Sequence, residues 1–449
     1  MSSRSKAIAS ISAVVVAAAA ALAAPAAAST DTTEPAGDGE PAEELAGGED
    51  VTLSLLVDNT ETTVLLTEGL TSAFSELHPN VSFDVEQRPG GADGDNIVKT
   101  RLATDEMTDV FIYNSGSLLQ ALNPQETLVD LAGEPFLGNV VDEFIPTVSQ
   151  GDGVYGVPFG TGIGGGVLYN RETFEEHGLS VPTTWEEFAA NNETLLDAGV
   201  TPVGASFGTT WTSQLFVLAD YYNVAEEVPE FAEAYTANEA HYADTPAALR
   251  SFERLQDAYD SGWWNEDYGS ATYEDALQML IDGDIAQYPM LTFALSEINA
   301  LDAEAAQSIG FFAQPGEDAE SNGMTLWMPA GAYIAATTEH EDVAKAFLAF
   351  IASVEGTEVQ TAAAAPGGPY MIEGATLPDD VLPAVQDVQS YIDAGNFGPA
   401  LEFLSPLKGP NLEQITVEVG SGLRSAEDAA ALYDEDVEKQ AQQLGLPGW

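Results

Sequence analysis

The strongest constraint on the fold is a change of apolar period that repeats along the chain. Residues 51–57, Val-Thr-Leu-Ser-Leu-Leu-Val, form a short apolar run rich in strand formers, which predicts a buried strand. Leu66, Leu70, Phe74 and Leu77 then recur at helical spacing until His78-Pro79-Asn80 stops them. A second strand is predicted at 81–85 and a third at 109–113, after a helical stretch around Leu102. Strand, helix, strand in this order requires crossover connections and a parallel sheet, so the fold class is α/β. The alternation resumes with strands at 167–169, 284–288, 309–313 and 331–336. Between them Pro182-Thr183-Thr184-Trp185-Glu186-Glu187-Phe188 opens a helix, with either threonine able to cap it and a glutamate three residues on. A long helical region is expected over 211–280, and Val343, Phe347, Phe350 and Ile351 share one face of a helix starting near Glu341.

With 449 residues, 45% of them hydrophobic, the chain carries enough apolar material for two or three domains. Its 73 Asp and Glu against 12 Lys and Arg give a formal charge of −61, which repels nucleic acid and anionic membranes and excludes nucleic acid as a partner. Self-repulsion of this size strains the compact state at low ionic strength. Molar salt shortens the Debye length to about 3 Å and relieves it, so the composition reads as acidic and halophilic. The absence of Cys rules out disulfides, thiol chemistry, zinc sites built on Cys and a lipid anchor on an N-terminal Cys.

Residues 1–28 read as a signal peptide, with Arg4 and Lys6 at the positive end, an apolar stretch over 7–24 and Ala26-Ala27-Ala28 as the cleavage site. An uncleaved membrane anchor is the alternative, opposed by the Ala-rich composition and by Pro25. Leu22-Ala23-Ala24 resembles the start of a lipoprotein signal, but Pro25 stands where the lipid-bearing Cys would be. Residues 29–50 are polar without apolar periodicity and are expected to form an acidic flexible linker. No later stretch approaches the ~18 uninterrupted apolar residues of a spanning helix, so the mature protein is expected to be soluble and extracellular or periplasmic.

Several motifs imitate chemistry. Gly160-Thr161-Gly162-Ile163-Gly164-Gly165 fits a dinucleotide fingerprint, but a strand follows it instead of a helix, and a flexible joint between domains is the simpler reading. Gly204-Ala205-Ser206-Phe207-Gly208 fits a nucleophile elbow, with His340 downstream. Pro202 weakens the strand before it and Gly208-Thr209-Thr210 delays the helix after it. His78, His177, His241 and His340 lack the spacing of a zinc site, and Asp93-Gly94-Asp95-Asn96 and Asp282-Gly283-Asp284 read as turns. No metal and no cofactor is expected.

A string of ordered features resembles the extracellular solute-binding proteins of ATP-driven (ABC) importers, of the large carbohydrate-binding, maltose-binding-protein-like type. Its most recognisable stretch is Gly153-Val154-Tyr155-Gly156-Val157-Pro158, followed by Gly165-Gly166-Val167-Leu168-Tyr169-Asn170-Arg171 and by Phe174, Gly178, Pro182, Thr184, Trp185 and Phe188. Met279 to Tyr288, then Ile309-Gly310-Phe311-Phe312 through Pro315-Gly316, then Ala332 to Ala335 and Ala344 to Ile351, continue the family's order and spacing. The resemblance covers residues 51–370 well and the final stretch more loosely.

The resemblance implies a two-lobed periplasmic-binding-protein-like fold with a hinge and a central ligand cleft. It assigns 51–158 and 312–355 to lobe 1 and 159–311 and 356–449 to lobe 2, with crossings near 157–161 and 311–315. It implies a monomer that closes on a carbohydrate ligand and is then recognised by ABC transporter permease subunits, without bond chemistry. Ligands of open α/β sheets sit outside the carboxyl ends of strands, which directs attention to residues 58–61 and 113–116. Sugars need aromatic platforms flanked by carboxylates and amides. Asn59, Glu61 and Asn114 supply the polar side and Tyr113 a platform, while in the second lobe Trp211 and Phe293 stand where the family places cleft aromatics. Trp327 and Tyr370 are further candidates, and Tyr169, Trp185, Trp263 and Trp264 are assigned to the core. Since no Arg or Lys falls among these loops, the ligand is expected to be neutral. The alternatives are a secreted serine hydrolase using Ser206 and a glycan-binding adhesin or sensor unconnected with transport.

Overall fold

The computed structural model describes residues 45–449. The expected signal peptide and most of the acidic linker lie outside the described residues. The linker's last part is held in place, because the Asn80 side-chain amide donates to the carbonyls of Leu45 and Glu49 at 3.1 and 2.8 Å.

Along the described residues the strands are β1 (Val51–Asp58), β2 (Val81–Arg88), β3 (Val110–Tyr113), β4 (Ser149–Gln150), β5 (Gly153–Val154), β6 (Gly156–Phe159), β7 (Ile163–Asn170), β8 (Thr201–Val203), β9 (Ile285–Leu291), β10 (Ile309–Ala313), β11 (Met324–Trp327), β12 (Ala330–Ile334) and β13 (Phe397–Pro399). One sheet has the order β2-β1-β3-β12-β6 and the other β13-β11-β7-β9-β8, with β10 also paired to β7; β4 and β5 make a separate small hairpin. Each large sheet with its helices forms one lobe of a two-lobed α/β fold.

In the first lobe β1 runs parallel to β2, from Val51↔Val81 to Asp58↔Arg88, and parallel to β3. Leu53, Leu55, Leu56 and Val57 are all buried, as expected of a central strand covered on both faces. The helix Glu61–Leu77 buries Leu66, Leu70 and Phe74 against this sheet, whereas Leu77 at its end stays exposed. Neither sheet is purely parallel: in the first lobe β12 is antiparallel to β3 and β6, and in the second β7 is antiparallel to β9, β10 and β11. The chain enters β7 directly from the first lobe, and this entry sets its direction against its neighbours.

The first passage between sheets, residues 160–162, falls where the glycine run pointed. Of that run only Gly160 takes a left-handed φ, 86°. Gly165 and Gly166 belong to β7, where a Cβ would lie 2.1 Å from the Trp327 ring and 2.3 Å from the Phe312 carbonyl oxygen. Close packing, not flexibility, therefore requires those two glycines.

The second passage lies at Met328–Pro329, between β11 and β12, and not at 311–315. Phe311 to Ala313 are fully apolar and buried, and they pair with Leu168 to Gly166 as a strand of the second sheet. The helix Val354–Ala363 also stays with the first lobe: a Cβ on Gly69 of the helix Glu61–Leu77 would lie 3.1 Å from Ala363 Cβ. The chain returns to the second lobe only beyond Ile372, which still bridges to Val140. The helix Pro383–Ala394 then packs on β10 through Asp387, which accepts from the Phe311 N–H at 2.9 Å, and Tyr391, which accepts from the Ala313 N–H at 3.1 Å.

Local signals hold well. Thr184 caps the helix Trp185–Ala198, its hydroxyl accepting from the Glu187 N–H while the Glu187 carboxylate accepts from the Thr184 N–H, both at 3.3 Å. Asp93 to Asn96 lie inside the helix Gly91–Ala103 instead of in a turn. The region 211–280 is a series of short helices, of which Pro246–Asp260 is the longest. Tyr169 and Trp263 are buried, and Trp185 and Trp264 pack against the second lobe's apolar core.

Candidate functional site

The second lobe assembles three aromatic rings from separate segments. Trp211 lies in the 3-10 turn Thr210–Gln214, Tyr273 opens the helix Tyr273–Asp282, and Phe293 follows β9. Ring centroids are 5.4 Å apart for Trp211 and Tyr273, and 6.0 Å for both Trp211–Phe293 and Tyr273–Phe293. Trp211 and Phe293 are half-buried and Tyr273 is buried. Backbone anchors fix the spacing. The Thr209 hydroxyl accepts from the Tyr273 N–H at 3.0 Å, and Thr292, beside Phe293, donates to the Gly367 carbonyl at 2.6 Å and accepts from the Gly164 N–H at 2.9 Å.

Tyr273 escaped sequence reasoning, although its signal was present: Thr272 and Asp275 form a capping box that puts the ring at a helix start. Beside it stands Glu297, in the helix Ala294–Leu301 that touches Glu61–Leu77 of the first lobe. Burial pushes the Glu297 carboxyl above its ordinary range, and the charges of Glu274 and Glu61 add to this, while the neighbouring Tyr273 hydroxyl acts the other way. The charge of Glu61, at the start of that first-lobe helix, is thus felt at Glu297 of the second lobe.

In the first lobe Asn59, Glu61 and Asn114 are exposed at the carboxyl ends of β1 and β3. The Asp58 carboxylate accepts from the Thr60 N–H and hydroxyl at 3.0 and 2.6 Å, shaping the turn that presents Asn59 and Glu61. Tyr113 departs from its expected part as a platform. It is 1% exposed, and the Arg88 guanidinium covers its ring at 5.4 Å from the centroid, so no face is open for stacking. Burial, and the nearby Asp95 carboxylate, raise its hydroxyl well above the ordinary phenol range. Arg88 ends β2 in register with Asp58, so the carboxyl end of the second strand, beside those of β1 and β3, brings a cation to this edge.

Trp327 and Tyr370 are nearly buried, at 8% and 9% exposure. The Trp327 indole N–H donates to the Glu402 carboxylate, and the Tyr370 hydroxyl pairs with the Thr361 hydroxyl at 2.8 Å. The expected residues therefore fall into an aromatic group around Trp211 and Phe293, an exposed polar edge of Asn59, Glu61 and Asn114, and two anchored rings.

Ser206 is fully buried. Its hydroxyl bonds to those of Tyr288 at 2.6 Å and Thr212 at 3.0 Å, and none of its hydrogen bonds reaches an imidazole, so the elbow lacks its base. Among the described residues no group of three or more His, Asp or Glu side chains could hold a metal ion. A polar cavity of about 220 Å³ has none of these aromatic rings in its lining, which includes Asn170, Glu172, Asp302, Glu304 and Ser308. Its polar groups already serve one another, with Ser308 donating to Glu172 at 2.8 Å and Asp302 accepting from the N–H groups of Glu304 and Ala305 at 3.0 Å.

Residues 59–358 match the family profile described as bacterial extracellular solute-binding protein. The multiple sugar-binding protein of Streptococcus mutans serotype c (strain ATCC 700610 / UA159) is 24% identical over 295 residues, 64% of this chain and 67% of that protein. Among solved structures, a chitin oligosaccharide binding protein superposes with a TM-score of 0.74 at 21% identity, covering 88% of this chain and 99% of the other. RafE in complex with raffinose gives a TM-score of 0.72 at 21% identity with the same coverage, 88% and 99%. At such identities the structural likeness establishes the fold alone. No helix among the described residues is long and apolar enough to cross a membrane.

Proposed function

The chain belongs to the bacterial extracellular solute-binding protein family, and from that membership we propose that it captures a neutral sugar or oligosaccharide between its lobes and delivers it to the permease of an ABC importer. The observation that carries this reading is the ring group Trp211, Tyr273 and Phe293 beside Glu61 and Glu297. Ring faces suit the C–H faces of a sugar, and carboxylates accept from its hydroxyls. The names of the sugar-binding relatives point the same way. Asn59 and Asn114 supply amides from the opposite lobe, and Trp327 and Tyr370 line the approach. Arg88 is engaged with Tyr113 and with the carbonyls of Pro89 and Ile112, which argues against its recruiting an anion.

In this reading the lobes follow the two large sheets and close by movement at the passages between them. The protein acts as an exported monomer without cofactor or bond chemistry, and with no Cys to carry a lipid its retention at the cell rests on other means. A melting-temperature screen against raffinose, chitin oligosaccharides and maltodextrins tests the assignment, followed by calorimetric titration of the hits. A ligand at a hundredfold excess over its Kd stabilises the folded state by about 2.7 kcal/mol. Stabilisation by sugar phosphates or dicarboxylates, with none by neutral sugars, overturns the proposal. Labelling of Ser206 by an active-site serine probe would restore the hydrolase reading.

A further inference from the structure

The segment 400–404 of the second lobe meets two things at once. It is tied to β11 by the Ala400 N–H, which donates to the Leu326 carbonyl at 2.9 Å. One residue on, the Trp327 indole covers Gly165 of β7, where a Cβ would lie 2.1 Å from the ring. The indole N–H donates to Glu402 Oε1 at 2.5 Å, and Glu402 Oε2 lies 3.5 Å from the Lys408 ammonium. A flat glycine surface beneath and a charge-assisted hydrogen bond at the edge leave the ring one orientation.

The same segment also rests on the first lobe. Gly116 follows β3 with a left-handed φ of 71°, and its N–H donates to the Thr147 carbonyl at 2.7 Å. A Cβ there would lie 2.7 Å from the Glu402 carbonyl oxygen and 2.7 Å from Phe403 Cδ1. Glu402 thus holds Trp327 with its side chain and meets the first lobe with its backbone. Ring and contact are one unit.

We infer that Glu402 is a positioning residue that couples closure of the lobes to the orientation of Trp327, an inference that rests on reading Trp327 as a residue of the solute cleft. When the lobes meet at Gly116 the segment 400–404 is pressed against β11 and the indole is locked. When they part, the segment loosens and the ring is released. Solute binding that needs the ring in place therefore favours the closed form, and closure favours binding, by one free energy read from two ends.

The test needs no ligand. Acrylamide quenching assigned to Trp327, taken as the difference between each protein and the same protein carrying Trp327→Phe, reports the ring. The radius of gyration from X-ray scattering reports closure. Glu402→Leu is expected to raise the Trp327 quenching severalfold at an unchanged radius, and Glu402→Gln, which keeps the acceptor oxygen, to restore the parent value. Gly116→Val, one lobe away, is expected to raise both radius and quenching. If Gly116→Val does not fold, Phe403→Ala removes the same contact from the other side and is read in the same way. Unchanged quenching in Glu402→Leu, equal quenching in Glu402→Leu and Glu402→Gln, or opened lobes with Trp327 still shielded would each overturn the coupling. Raffinose binding by the parent is scored separately: if it fails while the coupling holds, the sugar assignment is at fault and the coupling is not.

Discussion

Trp211 and Phe293 lie with ring centroids 6.0 Å apart and planes inclined by 39°, each half-buried, in two segments distant from each other in sequence. Both rings also pack on Tyr273, so part of each is spent on packing, and in the proposed function the remainder meets the solute. Replacing Trp211 by Ala is expected to lower sugar affinity at least tenfold. The stability cost should be about 1–2 kcal/mol, below the ~3–5 kcal/mol of truncating a fully buried Trp. Calorimetry with the identified sugar beside urea unfolding without it separates the two effects. Unchanged affinity with a large loss of stability would return Trp211 to the core.

The second lobe contains a buried ion pair between Arg254 and Asp220, both 1% exposed. Asp220 also accepts from Ser251 at 2.9 Å and Asn223 at 2.7 Å, and Arg254 reaches Glu317 at 2.9 Å with its guanidinium 5.3 Å from the Trp185 ring centroid. Burial pushes the Asp220 carboxyl up and Arg254 pulls it back, so the carboxylate depends on its partner. Arg254→Met should therefore cost about 3–5 kcal/mol, and Arg254→Met with Asp220→Leu less, because the double variant leaves no unpaired charge. Urea unfolding of both checks the order.

The pH dependence has two opposing parts. Burial raises the carboxyls of Glu297, Asp257 and Asp434 above their ordinary values of 4.5 and 3.8. A raised folded pKa means more protons bound in the folded state, so their contribution is present at low pH and is lost as pH rises through the folded value. Asp109 is the reverse: burial acts to raise it, but hydrogen bonds from Ser54 and Thr338 outweigh this and hold it below 3.8. Its contribution is present above 3.8 and is lost as pH falls through the lower folded value. Melting temperature is expected to rise as pH falls from neutral toward 4.5, then to drop below 3.8. Glu297→Gln should flatten the rise and Asp109→Asn the drop; scans across pH on both variants provide the check.

Salt acts on the whole charge. With a formal −61, self-repulsion at low ionic strength should hold the melting temperature well below its value in molar potassium chloride. Partly exposed ion pairs such as Arg101–Glu86 at 2.7 Å and Lys345–Glu341 at 2.8 Å contribute little, so their screening costs little in comparison. A flat or falling curve would remove the halophilic reading.

Local signals carry the parts of this protein that depend on near neighbours in the chain. Apolar period marked β1 to β3 and the helix Glu61–Leu77, Thr184 and Glu187 marked a helix start, and the ordered motifs over 153–188 marked the family. The carboxyl ends of β1 and β3 pointed to Asn59, Glu61 and Asn114 because in a parallel sheet strand direction alone decides which end is open. Partners distant in sequence belong to the tertiary structure. Phe311 to Ala313 resemble a crossing until β7 pairs with them. Tyr113 resembles a platform until Arg88 covers its ring. Trp327 resembles a freely turning ring until Glu402 takes its N–H and Gly165 of β7 lies beneath it. Each of these outcomes depends on which surface a side chain meets, and apolar or aromatic character is the same whether that surface is solute, sheet or guanidinium; only the packed chain brings the partner and so decides the role.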